Sequence, residues 1–181
     1  MGKIFFVLGA SGAGKDTFID LLRQHYVDEF IVAHRYITRS ADAGGENHVA
    51  LSQAEFSSRQ SDGFFAMNWQ ANGQSYGIGI EVLHWLKSGK NVIINGSRGY
   101  LPEAQKQFND QLIPICLSVD KEILGARLRQ RNRETEQEIV KRLERAEQYQ
   151  NSVSDLTTLD NNSTIESLLS QFDDFYQQVK Q

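Results

Sequence analysis

The sequence predicts an α/β protein with a central parallel sheet flanked by helices. Three observations carry that prediction. Apolar runs of strand length, rich in β-branched and aromatic residues, alternate with stretches of helical period, an order that favours parallel pairing and a sheet covered on both faces. A glycine-rich turn, Gly9-Ala10-Ser11-Gly12-Ala13-Gly14-Lys15, falls where the first run gives way to the first helix. The length, 181 residues, suits one well-cored domain carrying an inserted segment. The chain therefore reads as one domain over 1–181, with an insert at about 38–79 and a lid at about 127–142.

Each element has its own signal. Residues 3–8 are a buried strand, and Asp16 opens a helix whose apolar positions are Phe18, Ile19, Leu21 and Leu22. Residues 30–37 read as a second strand. From Thr38 to Gly79 the alternation lapses into Gly44-Gly45, a short helix near 52–59 and strand-like pieces around 64–69 and 75–77. Residues 80–87 are helical and 91–94 are a buried strand. A helix over 101–108 carries Pro102 at its start, where the missing N–H costs nothing. Residues 112–119 are the next strand, and Asp120 caps a helical stretch to about Arg131. A second helix runs from about Glu134 to Gln150, a short strand covers 156–159, and an amphipathic helix over 164–179 closes the chain.

Bulk properties narrow the function. The net charge of −4 argues against a nucleic-acid surface, and no stretch approaches a membrane span. The six apolar residues before the glycine-rich turn are too few for a secretory leader. Cys116 is the only cysteine and sits in an apolar run, so it reads as core in a reducing, cytoplasmic setting.

The glycine-rich turn follows the pattern G-x-x-x-x-G-K between strand and helix, the context a phosphate-binding loop requires. Its backbone amides, from Gly9, Ala10, Ser11, Gly12, Ala13, Gly14 and Lys15, converge on phosphate oxygens at a helix N-terminus. Lys15 supplies a cation for the β- and γ-phosphates of ATP. The residue after it is Asp16, followed by Thr17, where such loops usually place a magnesium-binding hydroxyl. A carboxylate is a good ligand for Mg2+, and it also suits the positive end of the helix dipole; both roles stand for Asp16.

Arginines crowd the region after Leu124. Arg131, Arg133 and Arg142 read as cations of a closing lid that meet charge on a transferring phosphoryl group. Arg127, Arg129 and Arg145, interleaved with glutamates, read as exposed ion-pair partners. In the insert, Arg35, Arg39, Glu46, His48 and Tyr76 suit a polar acceptor bearing phosphate, with Arg39 the best single phosphate ligand. Asn95 and Arg98 follow the 91–94 strand, where ligands of parallel sheets bind. Asn95 stands where many phosphate-loop enzymes carry an aspartate. Together these features describe a P-loop kinase with an acceptor-binding insert and an arginine-bearing lid.

The order of these motifs resembles the guanylate kinase superfamily over nearly the whole chain: the loop, Thr38-Arg39, Gly45-Glu46-Asn47, Asn72-Gly73 with Tyr76-Gly77, and the late arginines. Within it, Lys15-Asp16, the segment from Ala33 to Arg39, Glu46-Asn47-His48 and Asn95-Gly96-Ser97-Arg98 resemble the branch that phosphorylates ribose 1,5-bisphosphate in phosphonate degradation. Guanylate kinases usually differ at Asp16 and Asn95, and they carry an acidic residue near Ala66 that reads guanine. The resemblance implies ATP-dependent phosphorylation of ribose 1,5-bisphosphate to 5-phospho-α-D-ribose 1-diphosphate, with a small sugar phosphate as partner; the oligomeric state, a homodimer included, stays open. It leaves open a nucleoside monophosphate kinase and a catalytically silent binding module of the same fold. The late loop at Asp160-Asn161-Asn162 is the expected place for adenine recognition.

Overall fold

The computed structural model describes residues 1–43, 46–131, 135–151 and 156–180. In chain order the elements are β1 (Ile4–Gly9), α1 (Lys15–His25), β2 (Phe30–Ala33), β3 (Arg35–Ile37), β4 (Val49–Ala50) and α2 (Gln53–Ser61). There follow β5 (Phe65–Ala71), β6 (Gln74–Gly79), α3 (Glu81–Lys87), β7 (Asn91–Asn95), α4 (Leu101–Phe108) and β8 (Leu112–Ser118). The chain closes with α5 (Lys121–Arg131), α6 (Glu136–Asn151), β9 (Thr157–Asp160) and α7 (Ile165–Val179). The central parallel sheet has the order β2-β7-β1-β8-β9, and a second sheet has the order β4-β3-β6-β5. Every residue of β1 is buried, as a strand covered on both faces requires.

The fold separates into two compact units. One comprises residues 1–6 and 23–113. Here β2 runs parallel to β7 in the register Phe30↔Asn91 to Ala33↔Ile94. Phe5 meets Phe30 edge-on, with ring centroids 4.9 Å apart. The strand expected over 30–37 is in fact two. Ala33 still pairs with Ile94, but Arg35 pairs antiparallel with Ile78 in the second sheet, so the chain changes sheets at His34. Both halves carry strand-favouring side chains, so composition alone shows one run. In the second sheet β5 and β6 form a hairpin whose turn residues, Asn72 and Gly73, have φ of 50° and 73°. An Asn-Gly pair adopts these angles readily, and the resulting turn matches strand twist.

The other unit comprises residues 7–22 and 114–181. β8 and β9 pair in parallel from Ile115↔Thr157 to Ser118↔Asp160. Phe18 of α1 packs edge-on against Phe172 of α7, which stacks on Tyr176. Thr164 caps α7 by accepting the Ser167 N–H. The start of α6 is a capping box. Thr135 donates through both its backbone N–H and its hydroxyl to the Glu138 carboxylate, each at 2.8 Å. Those bonds, the backbone one first, hold the Glu138 carboxyl below the usual glutamate range. Among the described residues no helix is long and apolar enough to cross a membrane.

Candidate active site

The phosphate loop joins β1 to α1. Gly12 and Gly14 have φ of 94° and 90°, angles that side-chain-bearing residues rarely adopt. Gly12 also sits against α5, where an added Cβ would meet Leu124 at 3.0 Å and Leu128 at 3.2 Å. Lys15 donates to the loop's own carbonyls, Gly9 O at 2.8 Å and Ala10 O at 3.1 Å. Its ammonium is thus held over the loop by weak neutral acceptors, which a phosphate can outcompete. Asp16 and Thr17 are exposed in the first turn of α1. Among the described residues no three metal-ligating side chains cluster into a protein-only cage. Magnesium fits such a site all the same, because it usually binds through one or two carboxylates plus substrate phosphates.

Cys116 lies in β8 in the same unit. Burial pushes its thiol up from about 9.0 to about 11, against the opposing pull of the Lys15 charge. That is the signature of a packed, inert thiol.

Of the arginines expected to form a lid, Arg142 is half-buried on α6, one turn from Glu138. The Arg131 side chain and all of Arg133 lie outside the described residues. Arg129 pairs with Glu136, as expected of an exposed arginine among glutamates. Arg127 departs from that expectation: its Nη2 donates to the Asn161 backbone carbonyl at 2.8 Å.

The insert brings most of the acceptor candidates together. Arg35 holds Glu46 through two parallel hydrogen bonds, and its guanidinium lies 4.9 Å from the Tyr76 ring centroid. Tyr76 in turn stacks on Trp69 at 5.5 Å, and Trp69 stacks on Tyr100 at 5.4 Å. Burial, partly offset by a hydrogen bond from the Asn68 backbone, raises the Tyr100 hydroxyl pKa. Arg35 and Glu46 therefore largely satisfy each other.

Arg39 is placed differently. His48 braces it, with ring nitrogens 3.4 Å from Arg39 Nη2 and 3.2 Å from the Arg39 carbonyl. Its Nε is buried and makes no hydrogen bond among the described residues. A buried N–H without an acceptor is costly, and a bound oxyanion would satisfy it. Asn95 is buried at the end of β7, and Arg98 is exposed in the following turn. Ala66 lies at a bulge in β5 and offers only its carbonyl, which accepts from Gln107.

Two features escaped the sequence. Trp69 had no motif to mark it, since its role comes from cross-strand register with Tyr76. Asn161 lies in the loop expected to recognise adenine, and nothing in the sequence marks that its side chain also bonds to the phosphate loop, donating to Ala13 O at 2.7 Å.

A glycine-rich loop between a parallel strand and a helix of an α/β fold defines the class as a P-loop kinase fold. Comparison with known proteins gives the family. Residues 1–179 match the guanylate kinase family model. A guanylate kinase from Anaplasma phagocytophilum superposes with a TM-score of 0.70 at 15% identity, covering 92% of this chain and 81% of that one. The curated relatives include "Ribose 1,5-bisphosphate phosphokinase PhnN" of Pectobacterium parmentieri, 49% identical over 95% of this chain and 92% of the relative. The protein of the same name from Yersinia pestis is 53% identical over 83% of this chain and 78% of its own. The chain belongs to the guanylate kinase family and, within it, to the group of relatives named ribose 1,5-bisphosphate phosphokinase.

Proposed function

We propose that this chain transfers the γ-phosphoryl group of ATP to the 1-phosphate of ribose 1,5-bisphosphate, yielding 5-phospho-α-D-ribose 1-diphosphate and ADP. The observation that carries this reading is an intact phosphate loop in a chain 49% identical, over 95% of its length, to a relative of that name. The arrangement around Arg39 supports it, because its buried Nε has no hydrogen-bond acceptor among the described residues and can donate to an acceptor phosphate.

The nucleophile is an oxygen of the 1-phosphate, already anionic near neutral pH, so no general base is needed. A new P–O bond forms to the γ-phosphorus as its bond to the bridging oxygen of ADP breaks. Catalysis then reduces to positioning and charge neutralisation. Loop amides and Lys15 hold the donor phosphates, while Arg131, Arg133 and Arg142 meet charge on the transferring group. Arg39, with His48 behind it, binds an acceptor phosphate, and Arg98 and Asn95 take part in acceptor binding. Arg35, Glu46 and Tyr76 shape that site more than they charge it, since they already satisfy one another. Asp16, together with phosphate oxygens, would hold magnesium, which would supply further charge neutralisation. A cytoplasmic setting fits this substrate and the single buried thiol.

Phosphorus NMR of the reaction with Mg2+ and ATP tests the assignment. The expected product shows two coupled diphosphate resonances alongside the retained 5-phosphate. Lys15→Ala should lower its formation by about 10²–10³-fold, the usual loss when a main anion-stabilising group is removed. ADP and free inorganic phosphate as the only products would contradict the reading.

A further inference from the structure

The late loop after β9 grips the phosphate loop. Asn161 is 8% exposed, and its groups are bound on three sides. Its N–H donates to Ser118 O at 2.9 Å, its carbonyl accepts from Arg127 Nη2 at 2.8 Å, and its Nδ2 donates to Ala13 O at 2.7 Å. Its neighbours are pinned as well: Asp120 N–H donates to Asn162 Oδ1 at 2.7 Å, and Gln171 Nε2 donates to Asp160 O at 2.9 Å. Gly14 is bare where this happens. A Cβ built on it would lie 2.5 Å from Asn161 Nδ2, so the amide approaches only because residue 14 is glycine.

The Ala13–Gly14 peptide is planar and trans, so its C=O and N–H point in opposite directions. Anchoring Ala13 O to Asn161 therefore turns the Gly14 N–H away from Asn161. We propose that Asn161 is a positioning residue of the phosphate loop, one that presents the Gly14 N–H to the polyphosphate and does not act by reading the nucleobase. Arg127 supports it by fixing the Asn161 backbone, which ties the first helix of the lid region to the loop. This rests on the phosphate-loop reading above. It gives a reason why Arg127 bonds to Asn161 and why glycine suits position 14, where φ is 90° and a Cβ would displace the Asn161 amide.

The test is calorimetric binding of ATP and of inorganic tripolyphosphate, which has no base, to the full chain. Asn161→Ala should weaken both ligands by the same factor, about tenfold for one lost hydrogen bond to an organising group. Asn161→Asp keeps the shape but faces the Ala13 carbonyl with an acceptor, and should weaken both at least as much. The KM for ribose 1,5-bisphosphate should not move, which a general loss of structure would not allow. Should the Asn161 variants fail to fold, Arg127→Ala carries the test, with a smaller but again equal loss for both ligands. Weakened ATP with unchanged tripolyphosphate would overturn the proposal in favour of base contact, and unchanged binding of both would overturn it outright. Wild-type protein that bound neither ligand would refute the phosphate-loop reading itself.

Discussion

Arg39 combines a buried Nε that makes no hydrogen bond among the described residues with a histidine brace, and its proposed role in binding an acceptor phosphate rests on that arrangement. Hydrogen bonds between charged partners are worth about 1.5–3 kcal/mol, so Arg39→Ala should raise KM for ribose 1,5-bisphosphate by about 10–100-fold. Arg39→Lys should recover only part of that, since a point charge lacks the planar fork; steady-state kinetics on both variants would check it. Cys116 makes a different kind of prediction. Its folded thiol titrates near 11 instead of about 9.0, because burial disfavours the thiolate. Between those values the unfolded chain releases a proton that the folded chain keeps, so stability falls as pH rises from about 9 to about 11. Below that window the thiol makes no difference to the slope. Denaturant melts across the range should show the fall in wild type and less of it in Cys116→Ala. At this scale the loop was fully legible from Gly9 to Lys15, because its chemistry is local in sequence. The brace on Arg39 was not, because it depends on how residues 39 and 48 meet.

Among the elements, the helices were the most legible. The range 101–108 matches α4 residue for residue, with Pro102 in the first turn. The break at His34 was hidden, since the strand signal continues across it while the pairing partner changes from Ile94 to Ile78. The β5–β6 hairpin is longer than the strand-like pieces its sequence marks. Its strands run to Ala71 and from Gln74, leaving a two-residue turn that the Asn-Gly pair dictates. Gly73 has φ 73° and open space around its Cα, so Gly73→Ala adds backbone strain without a clash. The variant should lose about 1 kcal/mol of stability by chemical denaturation, with the unfolding slope unchanged. The hairpin also sets Trp69 across from Tyr76, so a register change there would disturb the Arg35–Tyr76 contact as well.

At the scale of the molecule, each compact unit carries a distinct set of groups. Residues 7–22 with 114–181 hold the phosphate loop, its Asn161 brace and Arg142; residues 1–6 with 23–113 hold Arg39, His48, Asn95 and Arg98. The groups proposed for donor binding and for acceptor binding thus come from different stretches of chain. Strand–helix alternation revealed the central sheet, but the partition itself was illegible, because it follows from packing across the whole chain and not from any linker composition. The central claim is the identity of the acceptor. It is tested most directly by ADP release with magnesium-ATP when ribose 1,5-bisphosphate and GMP are compared as acceptors. The account predicts kcat/KM for the sugar bisphosphate at least about 10³-fold above that for GMP, since Ala66 offers no side-chain acceptor to a guanine edge and buried polar recognition is worth several kcal/mol. Turnover with GMP equal to or above that with ribose 1,5-bisphosphate would contradict it.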